Sequence, residues 1–241
     1  MTVTNTQSGT RIDEVGARLF RINTPVRDMP GGFSFNQYLV VDEQPLLFHT
    51  GPRRMFPLVR EAIAHVLPVE KLRWIAFSHV EADECGGLNE LLAVAPQAQP
   101  LCSQIAALVS MNDLADRAPR GMGDGETITI GRRTLTWLDA PHLPHGWECG
   151  YLADVENETL FCGDLFTQPG AESEALSEGD ILAPSEAFRK AMDYYSHTKH
   201  AAPLIAKLAA TKPRLLACMH GSAWSGDGAK LLRALGEALE A

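Results

Sequence analysis

The chain has 241 residues, of which 45% are hydrophobic and 21% charged, with a formal charge of −9. At roughly 150 residues per domain this is one large domain or two small ones, long enough to bury a sizeable core. No apolar run approaches the roughly 20 residues of a membrane span, no basic-then-apolar leader opens the chain, and an isoelectric point near 5.3 argues against nucleic-acid phosphates or an anionic membrane as partner. A cytoplasmic setting is expected.

Residues 1–10 are polar and expected to be a disordered tail, with one domain over 11–241. Residues 17–22 (ARLFRI), 36–41 (NQYLVV) and 45–49 (PLLFH) read as strands. Helical spacing follows over 54–67, where Pro57 fits near the start. Residues 72–77 suit a buried strand, 88–94 a helix and 99–102 a short strand, and Ser103 caps a helix over 104–114. After Gly121, Gly123 and Gly125, hairpins are expected from 127–130 with 134–138, and from 149–153 with 159–162. The polar stretch 167–183 is long enough for a lid or a subunit contact. Helices over 185–196 and 200–210, a strand over 214–218 and a helix over 228–239 complete the chain. Each half runs from strands to helices, which predicts an α/β chain with sheets face to face and helices outside.

Four polar clusters each follow a predicted strand: His79-Val80-Glu81-Ala82-Asp83-Glu84, Pro141-His142-Leu143-Pro144-His145, Cys162-Gly163-Asp164 and Cys218-Met219-His220. In an extended segment His79, Glu81 and Asp83 share one side, and Glu84 joins them if the chain turns. Any one cluster alone reads equally as a solvated loop. Four at strand ends converge where ligand sites form. Five cysteines without a CxxC pair (Cys85, Cys102, Cys149, Cys162, Cys218) indicate scattered thiols rather than a disulfide framework or a thiolate zinc site.

The set His-x-Glu-x-Asp, then His, Asp and His resembles the metallo-β-lactamase superfamily. More narrowly it is similar to the di-iron domain of flavodiiron proteins and their stand-alone oxygen-binding relatives. The likeness runs from the first strands to His220 and includes a helix expected to carry Tyr194 and Tyr195. It implies a four-layer αββα sandwich. The family's His-x18-Asp spacing is met by His145 and Asp164, whereas His142 would leave 21 residues between. The resemblance therefore implies one metal on His79, Glu81, His145 and Asp164, and a second on Asp83, Asp164 and His220. Two iron ions are expected, and nitrogen and oxygen donors also suit zinc or manganese.

Three departures bear on the chemistry. Most hydrolases of the superfamily carry a second His where Glu81 stands, and an anionic oxygen donor favours redox iron over a Lewis-acidic zinc pair. Glu84 replaces a usual His, and its carboxylate can bind the second metal, hold a water on it, or point away. His49 stands where an Asp is common, either orienting a ligand or buried as a structural group. His65, His197 and His200 are expected on helices, away from the site.

The resemblance thus implies a non-haem di-iron protein that binds or reduces O2 or NO, with a homodimer by analogy. No phosphate-binding glycine loop with a further βαβ unit follows, so no flavodoxin domain and no FMN are expected on this chain, and electrons are expected from a separate protein or partner subunit. Two other readings use the same residues. One is a metallo-hydrolase attacking an ester, thioester or phosphodiester with activated water, Asp83 serving as base and Glu84 as the further candidate catalytic group. The other is a non-enzymatic oxygen or redox sensor.

Overall fold

The computed structural model describes residues 2–240. Residues 1 and 241, the outer ends of the expected tail and domain, lie outside the described residues. The first half forms an eight-stranded sheet in sequential order: β1 (Thr2–Asn5), β2 (Thr10–Gly16), β3 (Leu19–Val26), β4 (Phe33–Val40), β5 (Leu46–Phe48), β6 (Trp74–Ala76), β7 (Gln99–Ser103) and β8 (Arg120–Met122). The second half forms a seven-stranded sheet from β9 (Thr127–Thr129), β10 (Thr134–Asp139), β11 (Gly150–Asp154), β12 (Thr159–Gly163), β13 (Leu176–Ser177), β14 (Leu215–Cys218) and β15 (Ala223–Ser225), ordered β13-β15-β14-β12-β11-β10-β9.

Side-chain burial separates the layers. Val40, Leu46, Phe48, Leu101, Trp137, Leu152 and Phe161 pack between the two sheets. Leu39, Leu47 and Ile75 face outward onto α1 (Phe56–Ala64) and α3 (Leu88–Val94), through Val59, Ile63, Leu91 and Leu92. On the other side Tyr151, Cys162 and Leu216 meet α7 (Ala201–Ala210) and α8 (Gly228–Glu240), with α6 (Leu182–Met192) alongside. The order helix, sheet, sheet, helix is the expected αββα sandwich. The inner strands produce it, since β5, β11, β12 and β14 are buried on both faces and each face has a layer to meet.

One close approach makes a glycine necessary. A Cβ on Gly150 would lie 2.4 Å from the Trp137 ring, and Trp137 is fully buried between the sheets. Gly150→Ala is expected to lose about 1–3 kcal/mol by overpacking, read as a lower urea midpoint at unchanged slope. An unchanged midpoint would mean that the ring relaxes freely.

Several local expectations need correction. The segment expected to be a disordered tail contains β1, which pairs antiparallel with β2 through Thr2–Ile12 and Val3–Arg11. Its polar side chains are compatible with an edge strand, where one face meets water. The cluster after β6 is not extended throughout: Glu81 is extended (φ −134°, ψ 167°), and the chain then turns into α2 (Ala82–Cys85). The helix expected over 104–114 is broken into α4 (Gln104–Ala106), a wider turn over Ala107–Met111, and α5 (Asn112–Leu114). The helix expected to reach 196 stops at Met192, because Asp193 takes the left-handed conformation (φ 51°, ψ 42°), so Tyr194 and Tyr195 lie on a loop.

The sandwich interior changes character along its strands. The β4 row facing the second sheet runs Val40, Tyr38, Asn36, Ser34, from apolar to polar, and Arg21 and Asn23 lie opposite on β3. That polar end lies beneath the loops that carry the candidate site.

Candidate metal centre

Three of the candidate side chains follow the ends of buried strands. His79 lies three residues past β6, Asp164 directly follows β12, and His220 lies two past β14. His145 projects from the loop joining β10 and β11, while Asp83 and Glu84 occupy the first turn of α2. Parallel pairing of β12 with β14 brings Gly163 beside Cys218, which places Asp164 next to the His220 loop.

The side chains converge. His79 Nε2 is 2.9 Å from His145 Nε2. Asp164 Oδ2 lies 3.6 Å from His79 Nε2 and 3.5 Å from His145 Nε2. Asp164 Oδ1 faces the other way, 3.2 Å from His220 Nε2, which is also 3.5 Å from Asp83 Oδ2. Glu81 Oε1 is 3.1 Å from His145 Nε2. Ligand atoms of His79, Glu81 and His145 fall within 4.8 Å of one another, as do those of His79, Glu84 and Asp164, and those of Glu81, Asp83 and Glu84. The turn at Glu81, rather than a common strand face, brings these acidic groups together.

The outer nitrogens of the imidazoles are held from behind. His145 Nδ1 donates to the Tyr194 carbonyl at 3.0 Å and His220 Nδ1 to the Ser34 carbonyl at 2.8 Å. A carbonyl only accepts, so Nδ1 carries a proton in both rings and Nε2 is the nitrogen turned to the centre, able to ligate a cation that displaces any proton there. His79 Nδ1 meets Ser78 Oγ at 2.9 Å. Ser78 also contacts His49 Nε2 at 3.1 Å, and His49 Nδ1 rests against Met219 Sδ. His49 is therefore buried behind the centre and reaches it through Ser78; burial drops its pKa to about 3, keeping it neutral.

Charge is concentrated here. Burial works against the His220 imidazolium, yet Asp164 and Asp83 outweigh it and lift the pKa to about 10. Burial likewise opposes the Asp164 carboxylate, and His220, His79 and His145 nevertheless hold its pKa below the ordinary value. Burial, with the charges of Asp164 and Asp83, raises Glu84 well above a normal carboxyl. Asp164 Oδ1 faces the His220 ring, and both Glu84 oxygens are buried with no hydrogen-bond partner among the described residues other than the Asp83 carboxyl. Inward-facing imidazole nitrogens crowded against buried carboxyl oxygens are a donor set that cations satisfy, and all seven side chains offer nitrogen or oxygen.

The remaining candidates fall outside this cluster. His142 is exposed and lines a separate cavity of about 140 Å³ with Arg189, Tyr195 and His197. His65 follows the end of α1, His197 lies on the loop before α7, and His200 immediately precedes α7. The cysteines are free, and Cys102, Cys149, Cys162 and Cys218 are buried packing residues. Sequence reasoning missed the groups that hold the His220 loop. Asn36 Nδ2 donates to the Cys218 and Gly221 carbonyls, both at 2.8 Å, Tyr38 donates to Cys218 O at 2.8 Å, and Arg21 donates to Gly221 O at 2.6 Å. Phe33 and Phe35 wall His220, with ring centroids 4.4 and 5.4 Å away. The available signal was Ser34-Phe35-Asn36-Gln37, polar groups set into an otherwise apolar strand.

A sandwich of this layering, with His, Asp and Glu gathered at the strand ends, is a metallo-β-lactamase-like domain of the flavodiiron type. The chain belongs to the ODP family of beta-lactamases, whose match covers residues 33–221. It is 27% identical over 173 residues to a rubredoxin-oxygen oxidoreductase of Megalodesulfovibrio gigas, covering 70% of this chain and 42% of that protein. A nitric oxide reductase of Moorella thermoacetica is 29% identical over 148 residues, covering 59% and 36%. The chain thus spans less than half the length of these curated relatives. Among solved structures, the rubredoxin oxygen:oxidoreductase of Desulfovibrio gigas superposes with TM-score 0.80 at 22% identity, over 95% of this chain and 61% of that one. A fragment of diflavin flavoprotein A 5 from Nostoc sp. PCC 7120 gives TM-score 0.82 at 17% identity, over 96% and 95%. These likenesses establish the shared fold. No helix among the described residues is long and apolar enough to cross a membrane.

Proposed function

We propose that this chain holds a non-haem di-iron centre that binds or reduces O2 or NO. The observation that carries the reading is the division of Asp164, whose Oδ2 faces His79 and His145 while Oδ1 faces His220. One ion would be held by His79, Glu81, His145 and Asp164, and the other by Asp83, Asp164 and His220. Iron at both positions supplies the redox chemistry that a diatomic gas requires. The chain's own groups orient and shield: the Ser34 and Tyr194 carbonyls fix two imidazoles, and Phe33 and Phe35 exclude water beside His220. The names of the relatives, an oxygen oxidoreductase and a nitric oxide reductase, support the choice of gas.

The test is anaerobic iron loading followed by mixing with O2 or with NO, with and without an added reductant. A new visible or near-ultraviolet band on gas exposure is expected, and consumption of gas with reductant marks a reductase. A persistent band without turnover marks a carrier or sensor. Tightly held zinc, a spectrum indifferent to either gas, and cleavage of an ester, thioester or phosphodiester would overturn the reading in favour of a hydrolase.

Ser78→Ala removes the group behind His79 and is expected to weaken metal binding about 10–100-fold, measured by competition with a chelator. Unchanged affinity would show that His79 is oriented without Ser78.

A further inference from the structure

We propose that Glu84 is a seventh protein ligand of the centre, which then carries four carboxylates and three imidazoles and selects oxygen-preferring divalent metals over zinc. This inference rests on the two-metal reading above and extends it.

The fold uses Glu84 through its backbone, whose carbonyl accepts from Thr50 N at 2.8 Å and Thr50 Oγ1 at 3.3 Å. Its side chain does something else. It is fully buried, and among the described residues neither oxygen meets a hydrogen-bond partner other than the carboxyl of Asp83, itself an acid. Oε2 lies 3.9 Å from His79 Nε2. Glu84 shares a ligand-spaced group with His79 and Asp164, and another with Glu81 and Asp83, so it reaches both halves of the centre. A carboxylate buried without a donor is costly to the fold, and a cation removes that cost.

The charge balance points the same way. Glu81, Asp83, Glu84 and Asp164 together offset two divalent cations, whereas a neutral group at position 84 would leave excess positive charge in a largely buried site. Carboxylate-rich sites suit manganese and iron, while imidazole suits zinc equally well. A merely structural Glu84 would instead help to hold the metal-free fold together.

Wild type, Glu84→Gln and Glu84→His would be stripped of metal and titrated separately with Mn(II) and Zn(II), following ions bound per chain and melting temperature. Wild type is expected to take up about two Mn(II) per chain and to melt higher when loaded. Glu84→Gln is expected to melt above wild type when metal-free, because the buried acid crowded against Asp83 and Asp164 is gone, yet to bind Mn(II) at least about 10-fold more weakly. Glu84→His is expected to retain zinc binding and to shift preference from Mn(II) towards Zn(II) about 10-fold. Metal-free Glu84→Gln melting below wild type, or binding Mn(II) as tightly, overturns the role of Glu84 while leaving the two-metal centre standing. Failure of wild type to bind either metal overturns both.

Discussion

An Asp164→Asn protein is expected to fold and to lose both metal ions, with affinity falling at least about 100-fold at each position. Asparagine keeps the shape but removes the charge and turns one of the two ligand atoms into a donor. Among the described residues, Asp164 is the one side chain whose two oxygens address different imidazole groups, His79 and His145 through Oδ2 and His220 through Oδ1. Replacing Glu81 or His220 should instead empty one position and weaken the other. Elemental analysis alongside circular dichroism separates the cases. A folded Asp164→Asn protein that still carries two ions would remove the bridging role.

The second large effect is expected at Asn36, which touches none of the candidate ligands directly. Asn36→Leu deletes both bonds from Nδ2 to the Cys218 and Gly221 carbonyls. It also strands Asn23 Nδ2, which donates to Asn36 Oδ1 at 2.8 Å in a fully buried pair. Cys218 O keeps Tyr38 and Gly221 O keeps Arg21, so Asn23 carries most of the penalty. The expected loss is about 3 kcal/mol in a urea titration, given that a buried donor without a partner costs about 1–3 kcal/mol and further bonds are lost with it. His220 lies between the two carbonyls that each lose a bond, so the position that includes His220 should empty first. Wild-type stability together with a full metal complement would contradict this account of how the first sheet holds the second half of the site.

Much of the architecture was legible because it depends on alternation and helical spacing. The strands ending before His79, Asp164 and His220 are short apolar runs, and the outer helices carry one apolar face. Elements that depend on pairing left weaker traces. The strand β1 is polar and finds its place only beside β2, and the two-residue β13 exists through its pairing with β15. The left-handed Asp193 could not be anticipated from a helix-compatible sequence, yet it puts Tyr194 on the loop where its carbonyl receives His145 Nδ1.

At the candidate site, residue type and spacing marked the side chains that converge, but not how they do so. Extended geometry placed Glu81 and Asp83 on one side, whereas the chain bends at Glu81 and presents Asp83 and Glu84 from a helical turn. That bend buries Glu84, whose three sequence-level alternatives were open without it. Ser78 and Ser34 were invisible as partners because a serine beside a strand end has many bland uses, and only the fold sets them behind His79 and His220.

The most direct test of the central claim is Mössbauer and electron paramagnetic resonance spectroscopy on protein loaded with iron-57, together with an iron count. A pair bridged by Asp164 predicts about two irons per chain, coupled so that the oxidised form gives no conventional ferric resonance. One iron per chain, or two that give the signal of isolated high-spin ferric ions, would contradict it.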